Sequence, residues 1–251
     1  MQDPHGSFIW YELLTPDTDA AGRFYAAVLG WQAAPHEGDV AGYSIFTHGA
    51  AAIGGMMTAP DGVRPGWLGY IGVDDVDAAV AGVVAAGGTV PMPARDLPQV
   101  GRIAMVADPQ GAPFYLMRGA SDQASTAFDL EAPGHCAWNE LAAREMDAAV
   151  AFYAGAFGWR RGENLPMGGT GGYQLMQQAG QRFGAIMTAP PGMPAMWRFY
   201  FRVPTIGAAA ERVRQGGGAI LHGPQEVPGG EQILIGTDPQ GATFALVGKP
   251  G

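Results

Sequence analysis

The chain is poor in the residues that build covalent cross-links and strong fields. A single cysteine, Cys136, leaves no partner for an internal disulfide, which suits a reducing compartment. Charged residues make up only 15% of the 251, with 14 Lys plus Arg against 23 Asp plus Glu and a net charge of −9. So acidic a chain is a poor match for nucleic acid or an anionic membrane surface. No apolar run approaches the roughly 18–20 residues that span a bilayer. The opening MQDPHGSFIW has no basic region followed by an apolar stretch, so no secretory leader is expected and the cytoplasm is the expected location. Hydrophobic residues are plentiful at 47%, and 40 Gly and 20 Pro fall between short strand-like runs. That pattern belongs to an ordered globular protein with many tight turns.

The length fits two domains, and the sequence repeats itself. Trp10-Tyr11-Glu12-Leu13 returns as Trp138-Asn139-Glu140-Leu141, and Phe24-Tyr25 with Leu29-Gly30-Trp31 returns as Phe152-Tyr153 with Phe157-Gly158-Trp159. Further on, Met57-Thr58-Ala59-Pro60 returns as Met187-Thr188-Ala189-Pro190, and Trp67 as Trp197. Asp108-Pro109-Gln110-Gly111-Ala112 returns as Asp238-Pro239-Gln240-Gly241-Ala242. The displacement is 128 positions at first (10 to 138) and 130 later (108 to 238), which locates a small insertion near 167–172. Two domains are expected, at 6–119 and 134–248, joined by a small, polar linker at 120–133.

Within each copy the order reads strand, helix, three strands, then the same again. In the first copy a strand at 8–14 precedes a helix from Asp17 or Thr18 to about Leu29, with Ala21, Phe24, Tyr25 and Val28 at helical spacing. Strands follow near 32–36, 42–48 and 51–58. A strand at 67–73, a helix from about 76 to 86 capped by Asp74 or Asp75 and stopped by Gly87-Gly88, and strands near 90–96, 102–108 and 112–117 complete the copy. Asp-Pro-Gln-Gly reads as the turn before the last strand. The expected class is α+β, with two tandem domains, each of two βαβββ units forming curved mixed sheets, or cups.

This order, with its Phe-Tyr and Leu-Gly-Trp helix end and late Asp-Pro-x-Gly turn, resembles the vicinal oxygen chelate superfamily. Members include glyoxalase I, extradiol dioxygenases, methylmalonyl-CoA epimerase, fosfomycin-modifying enzymes and bleomycin-binding proteins. The resemblance implies a small-molecule site inside each cup. Metal enzymes of the superfamily place His, Gln or Glu ligands on the first, fifth and eighth strands of a domain. Those positions here fall on Trp10, Leu68 and Tyr115, and on Trp138, Arg198 and Ala245. None is a good ligand for a divalent ion, and Arg repels one.

Other residues are therefore the candidates. Alternate strand residues share a face, so Trp10 lies with Glu12 and Trp138 with Glu140. Such a pair stacks a flat ligand and accepts its hydrogen bonds, and Glu12 or Glu140 is the candidate general base. The plainer alternative is a core Trp and a structurally bonded Glu. Arg198, Tyr200 and Arg202 alternate with Trp197, Phe199 and Phe201, whereas the first copy has Leu68, Tyr70 and Gly72. Two cations and a phenol on one face suit a carboxylate or phosphate, unless the cations are engaged in pairs. Tyr70, Tyr115, Tyr43 and Tyr173 are candidate walls. Cys136 reads as a small buried residue, because its neighbour His135 points to the opposite face. His5, His36, His48 and His222 show no ligand spacing.

Three functions follow from this reading. The first is a cup protein binding an aromatic or anionic metabolite without cofactor or the usual metal, by sequestration or by acid–base chemistry. The second is a metal-dependent lyase, isomerase or dioxygenase of the same superfamily, its divalent ligands lying elsewhere. The third is a degenerate scaffold acting through protein contacts. A monomer arranged as a pseudo-dimer, or a homodimer, fits the duplication.

Overall fold

A computed structural model describes residues 3–36, 42–166 and 171–251; most of the expected insertion, at 167–170, lies outside the described residues. The first copy forms β1 (Phe8–Thr15), α1 (Thr18–Leu29), β2 (Gln32–Pro35), β3 (Ser44–His48), β4 (Ala51–Thr58), β5 (Gly66–Gly72), α2 (Val76–Ala85), β6 (Thr89–Leu97), β7 (Gly101–Ala107) and β8 (Pro113–Gly119). The second repeats it as β9 (Cys136–Ala143), α3 (Met146–Phe157), β10 (Arg160–Pro166), β11 (Gly172–Gln178), β12 (Gln181–Thr188), β13 (Met196–Thr205), α4 (Ile206–Gln215), β14 (Ala219–Glu226), β15 (Gln232–Thr237) and β16 (Thr243–Lys249). The strands make two open, curved mixed sheets of eight, ordered β2-β3-β4-β1-β5-β8-β7-β6 and β10-β11-β12-β9-β13-β16-β15-β14. This is the α+β architecture of paired βαβββ units.

Local chemistry sets the element ends. Asp17 caps α1 by accepting from the Ala20 backbone N–H at 2.9 Å, and Gly30 closes it at φ +74°, a left-handed conformation that glycine adopts without penalty. Asp75 caps α2 in the same way, accepting from Ala78 N–H at 3.0 Å. The Asp-Pro-Gln-Gly turns form as expected: Asp108 Oδ1 accepts from the N–H groups of Gln110 and Ala112, and Asp238 Oδ1 from those of Gln240 and Ala242.

Packing divides the chain into two compact units that do not coincide with the sequence copies. Unit I runs to Ile9 and includes Gly69–Ser125 and Asn139–Trp197; unit II comprises Trp10–Leu68, Thr126–Trp138 and Arg198–Gly251. Each unit thus draws one βαβββ unit from each copy. In unit I, Trp197 Nε1 donates to Tyr153 Oη at 3.1 Å, and that hydroxyl donates to Asp108 Oδ2 at 3.1 Å. In unit II, Trp67 Nε1 donates to Tyr25 Oη at 2.9 Å, and Tyr25 donates to Asp238 Oδ2 at 3.1 Å. Each relay satisfies every polar atom of a buried Tyr and Trp. Burial, then the adjacent carboxylate, raises the phenol pKa of Tyr25 and Tyr153, so both stay protonated donors. The repeat's Phe-Tyr tyrosines, Trp67 and Trp197, and its turn aspartates are therefore core residues. Trp31 and Trp159 follow suit, donating to the carbonyls of Gly134 and Gly6 at 2.7 Å in their respective units.

The polar segment expected as a linker is ordered in its second half. Thr126 Oγ1 donates to Ala52 O at 3.1 Å, Asp129 Oδ1 accepts from Glu131 and Ala132 N–H, and Gly134 N–H donates to Arg202 O at 2.8 Å.

Candidate functional site

In unit II, Trp10 is half-buried and donates through Nε1 to the Tyr43 hydroxyl at 2.8 Å. That hydroxyl sits where a side chain on Gly55 would begin, 2.1 Å from an ideal Cβ. Gly55 is the parallel partner of Glu12, whose side chain is buried at 3% exposure. Glycine at 55 therefore lets the phenol lie against the sheet.

In unit I, Glu140 is 5% exposed and accepts from the Tyr173 hydroxyl at 2.9 Å. Its strand partner is Ala185, at the place Gly55 takes in the first copy. Tyr70 and Tyr115 are partners across β5 and β8, their rings stacked with centroids 4.3 Å apart and planes 19° from parallel. Both rings are buried.

In unit II, β13 shows the expected alternation. Phe199 and Phe201 are buried on one face, where Phe199 meets Tyr11 at 5.1 Å and Phe201 meets Trp31 at 4.9 Å. On the other face Tyr200 joins a cluster with Ala137, Ala245 and Val247, against which partly buried Trp138, Ile233 and Ile235 pack. Arg198 is half-buried on the Tyr200 face. Arg202 is already engaged: its Nε donates to Leu130 O at 2.7 Å, and its two terminal nitrogens bond the two oxygens of Glu231. With the side chain only 13% exposed, this cation straps the 129–135 segment to β13. Arg202→Met is expected to lower stability by about 2 kcal/mol, because Glu231 and the Leu130 carbonyl lose their donors. Urea unfolding of the full chain measures it, and an unchanged midpoint would show the strap to be decorative.

The Cys136 thiol is buried, its pKa pushed up to about 12 by that burial, and it donates to Trp138 O at 3.5 Å. His135 turns away to Thr126 O at 2.6 Å. The two make no nucleophile and base.

Sequence reasoning listed Tyr43 and Tyr173 as walls but did not connect them to Trp10 and Glu140. Both partnerships span 33 residues. The signal was the repeat, which carries Tyr43 to Tyr173. Gly55, Ile233 and Ile235 carried no sequence signal beyond strand alternation, whereas Ala245 was noted only for its place at a superfamily ligand position.

Among the described residues no group of three or more His, Cys, Asp or Glu is placed to hold a metal ion. The positions that the superfamily resemblance assigns to metal ligands hold Trp10, Leu68, Tyr115, Trp138, Arg198 and Ala245, and none supplies a carboxylate or imidazole. The residues present do not fit the superfamily's metal.

The glyoxalase-like domain model matches residues 10–117, and the glyoxalase/bleomycin resistance protein/dioxygenase superfamily model matches residues 132–246. A Mycobacterium tuberculosis protein named "Putative glyoxylase CFP32" is 34% identical over 250 residues, covering 96% of this chain and 94% of its own. The anthracycline biosynthesis protein DnrV of Streptomyces peucetius is 28% identical over 273 residues, covering 96% and 93%. Among solved structures, the Mn(II)-bound glyoxalase from Novosphingobium aromaticivorans superposes with a TM-score of 0.69 at 20% identity, over 98% of this chain and 83% of that one. The chain belongs to the glyoxalase/bleomycin resistance protein/dioxygenase superfamily, the vicinal oxygen chelate group, as a tandem two-domain member.

Proposed function

We propose that this protein binds a small aromatic or anionic metabolite without the superfamily's metal, and that the second copy carries the principal binding surface. The supporting observation is the unit II face on which Trp138, Ile233 and Ile235 pack over Tyr200 and Ala245, with Arg198 on the same face of β13. Apolar and aromatic walls with one cation are the usual make-up of a site for a flat anion. Relatives named for glyoxylase activity and for anthracycline biosynthesis, matched over 96% of this chain, support a small-molecule role.

Glu12 and Glu140 are the groups we assign to hydrogen bonding or proton transfer. Glu140 accepts from the Tyr173 hydroxyl, which holds its carboxylate in orientation. The same geometry serves sequestration and acid–base chemistry. We place the protein in the cytoplasm as a single chain or a homodimer. Among the described residues no helix is long and apolar enough to cross a membrane.

The test is a calorimetric screen of aromatic acids against the full chain, with metal analysis of the same preparation. Binding by metal-free protein is expected. Arg198→Gln, on the proposed face itself, should weaken it about tenfold, equivalent to about 1.4 kcal/mol. Silence across the panel, or binding that requires stoichiometric Fe, Zn, Ni or Mn, would reject the proposal.

A further inference from the structure

Three neighbouring strands of unit I carry a charged row that the first copy lacks. Arg160 on β10 pairs with Gln177 on β11, and Gln177 pairs with Arg182 on β12. Residues paired across a ladder point to the same side, so the three side chains share one face of the sheet. It is the face of Glu140: Leu175, two residues from Gln177, pairs with Ala185, and Ala185 pairs with Glu140. Along β11 the two rows are one two-residue step apart, about 7 Å. Arg161 turns to the opposite face, where it pairs with Asp147 of α3 at 3.2 Å.

In the first copy the same register pairs Gln32 with Thr47 and Thr47 with Ala52, an uncharged row. The second copy sets two cations where the first has an amide and a methyl group. A fourth position changes with them. Gly162, two residues along β10 from Arg160, stands where the first copy has Ala34. Its φ is not positive, so the backbone there does not call for glycine. A Cβ on Gly162 would lie 3.3 Å from Gln177 Nε2 and 3.4 Å from Leu175 Cβ. Glycine therefore keeps the space beside the Gln177 amide clear. Arg160 and Arg182 are exposed. Among the described residues neither enters an ion pair, whereas Arg102, Arg118 and Arg161 of the same unit do.

We propose that Arg160, Gln177 and Arg182 form an anion site in unit I that takes the phosphate group of a monoester. The two arginines stand two ladder spacings apart, about 10 Å at the backbone, and approach a point over Gln177 from opposite sides. A tetrahedral dianion there offers an oxygen to each guanidinium and a third to the amide. A carboxylate offers both oxygens along one edge, which a single guanidinium saturates. The exposed face leaves room for the rest of the ester. This site is separate from the unit II face proposed above and does not depend on it.

The experiment is calorimetric titration of the full chain with glycerol 3-phosphate at constant ionic strength. One ester per chain is expected. Arg160→Gln and Arg182→Gln should each weaken binding about fivefold at near wild-type melting temperature, because both side chains are exposed. Gly162→Ala should weaken it with no change of charge. Arg161→Gln removes the same charge from the opposite face and should leave the affinity within about twofold. No saturable binding, or an equal loss in Arg161→Gln, would overturn the site. Equal displacement by acetate would overturn the preference for a tetrahedral dianion, and binding of inorganic phosphate with exclusion of the ester would overturn the monoester. Each of these failures leaves the unit II reading standing.

Discussion

Asp238→Ala is expected to cost about 3 kcal/mol of stability, and Asp108→Ala a similar amount. Each carboxylate closes a turn and ends a buried relay. Asp238 accepts from Gln240 N–H and Ala242 N–H through Oδ1 and from the Tyr25 hydroxyl through Oδ2. Tyr25 is fully buried, so its orphaned hydroxyl finds no water. A buried donor left without an acceptor costs about 1–3 kcal/mol, and the three donors here share one site, so their costs do not simply add. Asp238→Asn should cost less, because its amide oxygen keeps both turn bonds. The pH dependence has a definite sign. Burial, the largest influence, raises the Asp238 pKa above the usual carboxylate value in the folded protein. Its stabilising contribution is then fully present below the unfolded-state pKa and is lost as pH rises through the folded-state value. The wild type should therefore gain on Asp238→Asn as pH falls through the mildly acidic range. Urea unfolding at a series of pH values reads both effects. A loss under about 0.5 kcal/mol in Asp238→Ala would show that the relay is dispensable.

Gly184→Ala should be comparably damaging, for a reason of space. An added Cβ at Gly184 would stand 1.9 Å from the backbone carbonyl oxygen of Asn139, its partner on β9. A carbonyl in a central parallel ladder has no rotamer to escape into, so β12 must move away from β9. The expected loss is about 3 kcal/mol, at the upper end for overpacked sites. The first copy has the same crowding, with Tyr11 O 2.4 Å from a Cβ at Gly54. Gly155→Ala is the matched control. It lies exposed in α3 with nothing within 4 Å of the new Cβ, and should gain about 0.5–1 kcal/mol. Equal stability of Gly184→Ala and Gly155→Ala would contradict the close approach.

The functional candidates show how far strand alternation alone reaches. It assigned Arg198, Tyr200 and Arg202 to one face and the Phe pair to the other, and the structure has them so. It could not tell the two arginines apart. The partners of Arg202 are Glu231, 29 residues on, and a carbonyl 72 residues back. Likewise Trp-x-Glu marked Glu140, but the hydroxyl that orients it comes from another strand.

The sequence by itself determined the duplication, the element order and the Asp-Pro-Gln-Gly turns, and narrowed each of the two first-copy caps to a pair of neighbours, of which the structure uses Asp17 and Asp75. These depend on hydrogen bonds two to four residues apart and on side-chain periods of 2 and 3.6, which any short window displays. Only the tertiary structure decided which βαβββ unit packs with which. Tyr25 meets Asp238 across 213 residues, and Tyr153 meets Asp108 across 45. Tyr25 and Tyr153 are equivalent in the repeat, as are Asp108 and Asp238, so local sequence offers either pairing equally well. The choice belongs to the complementary buried surfaces of the folded units.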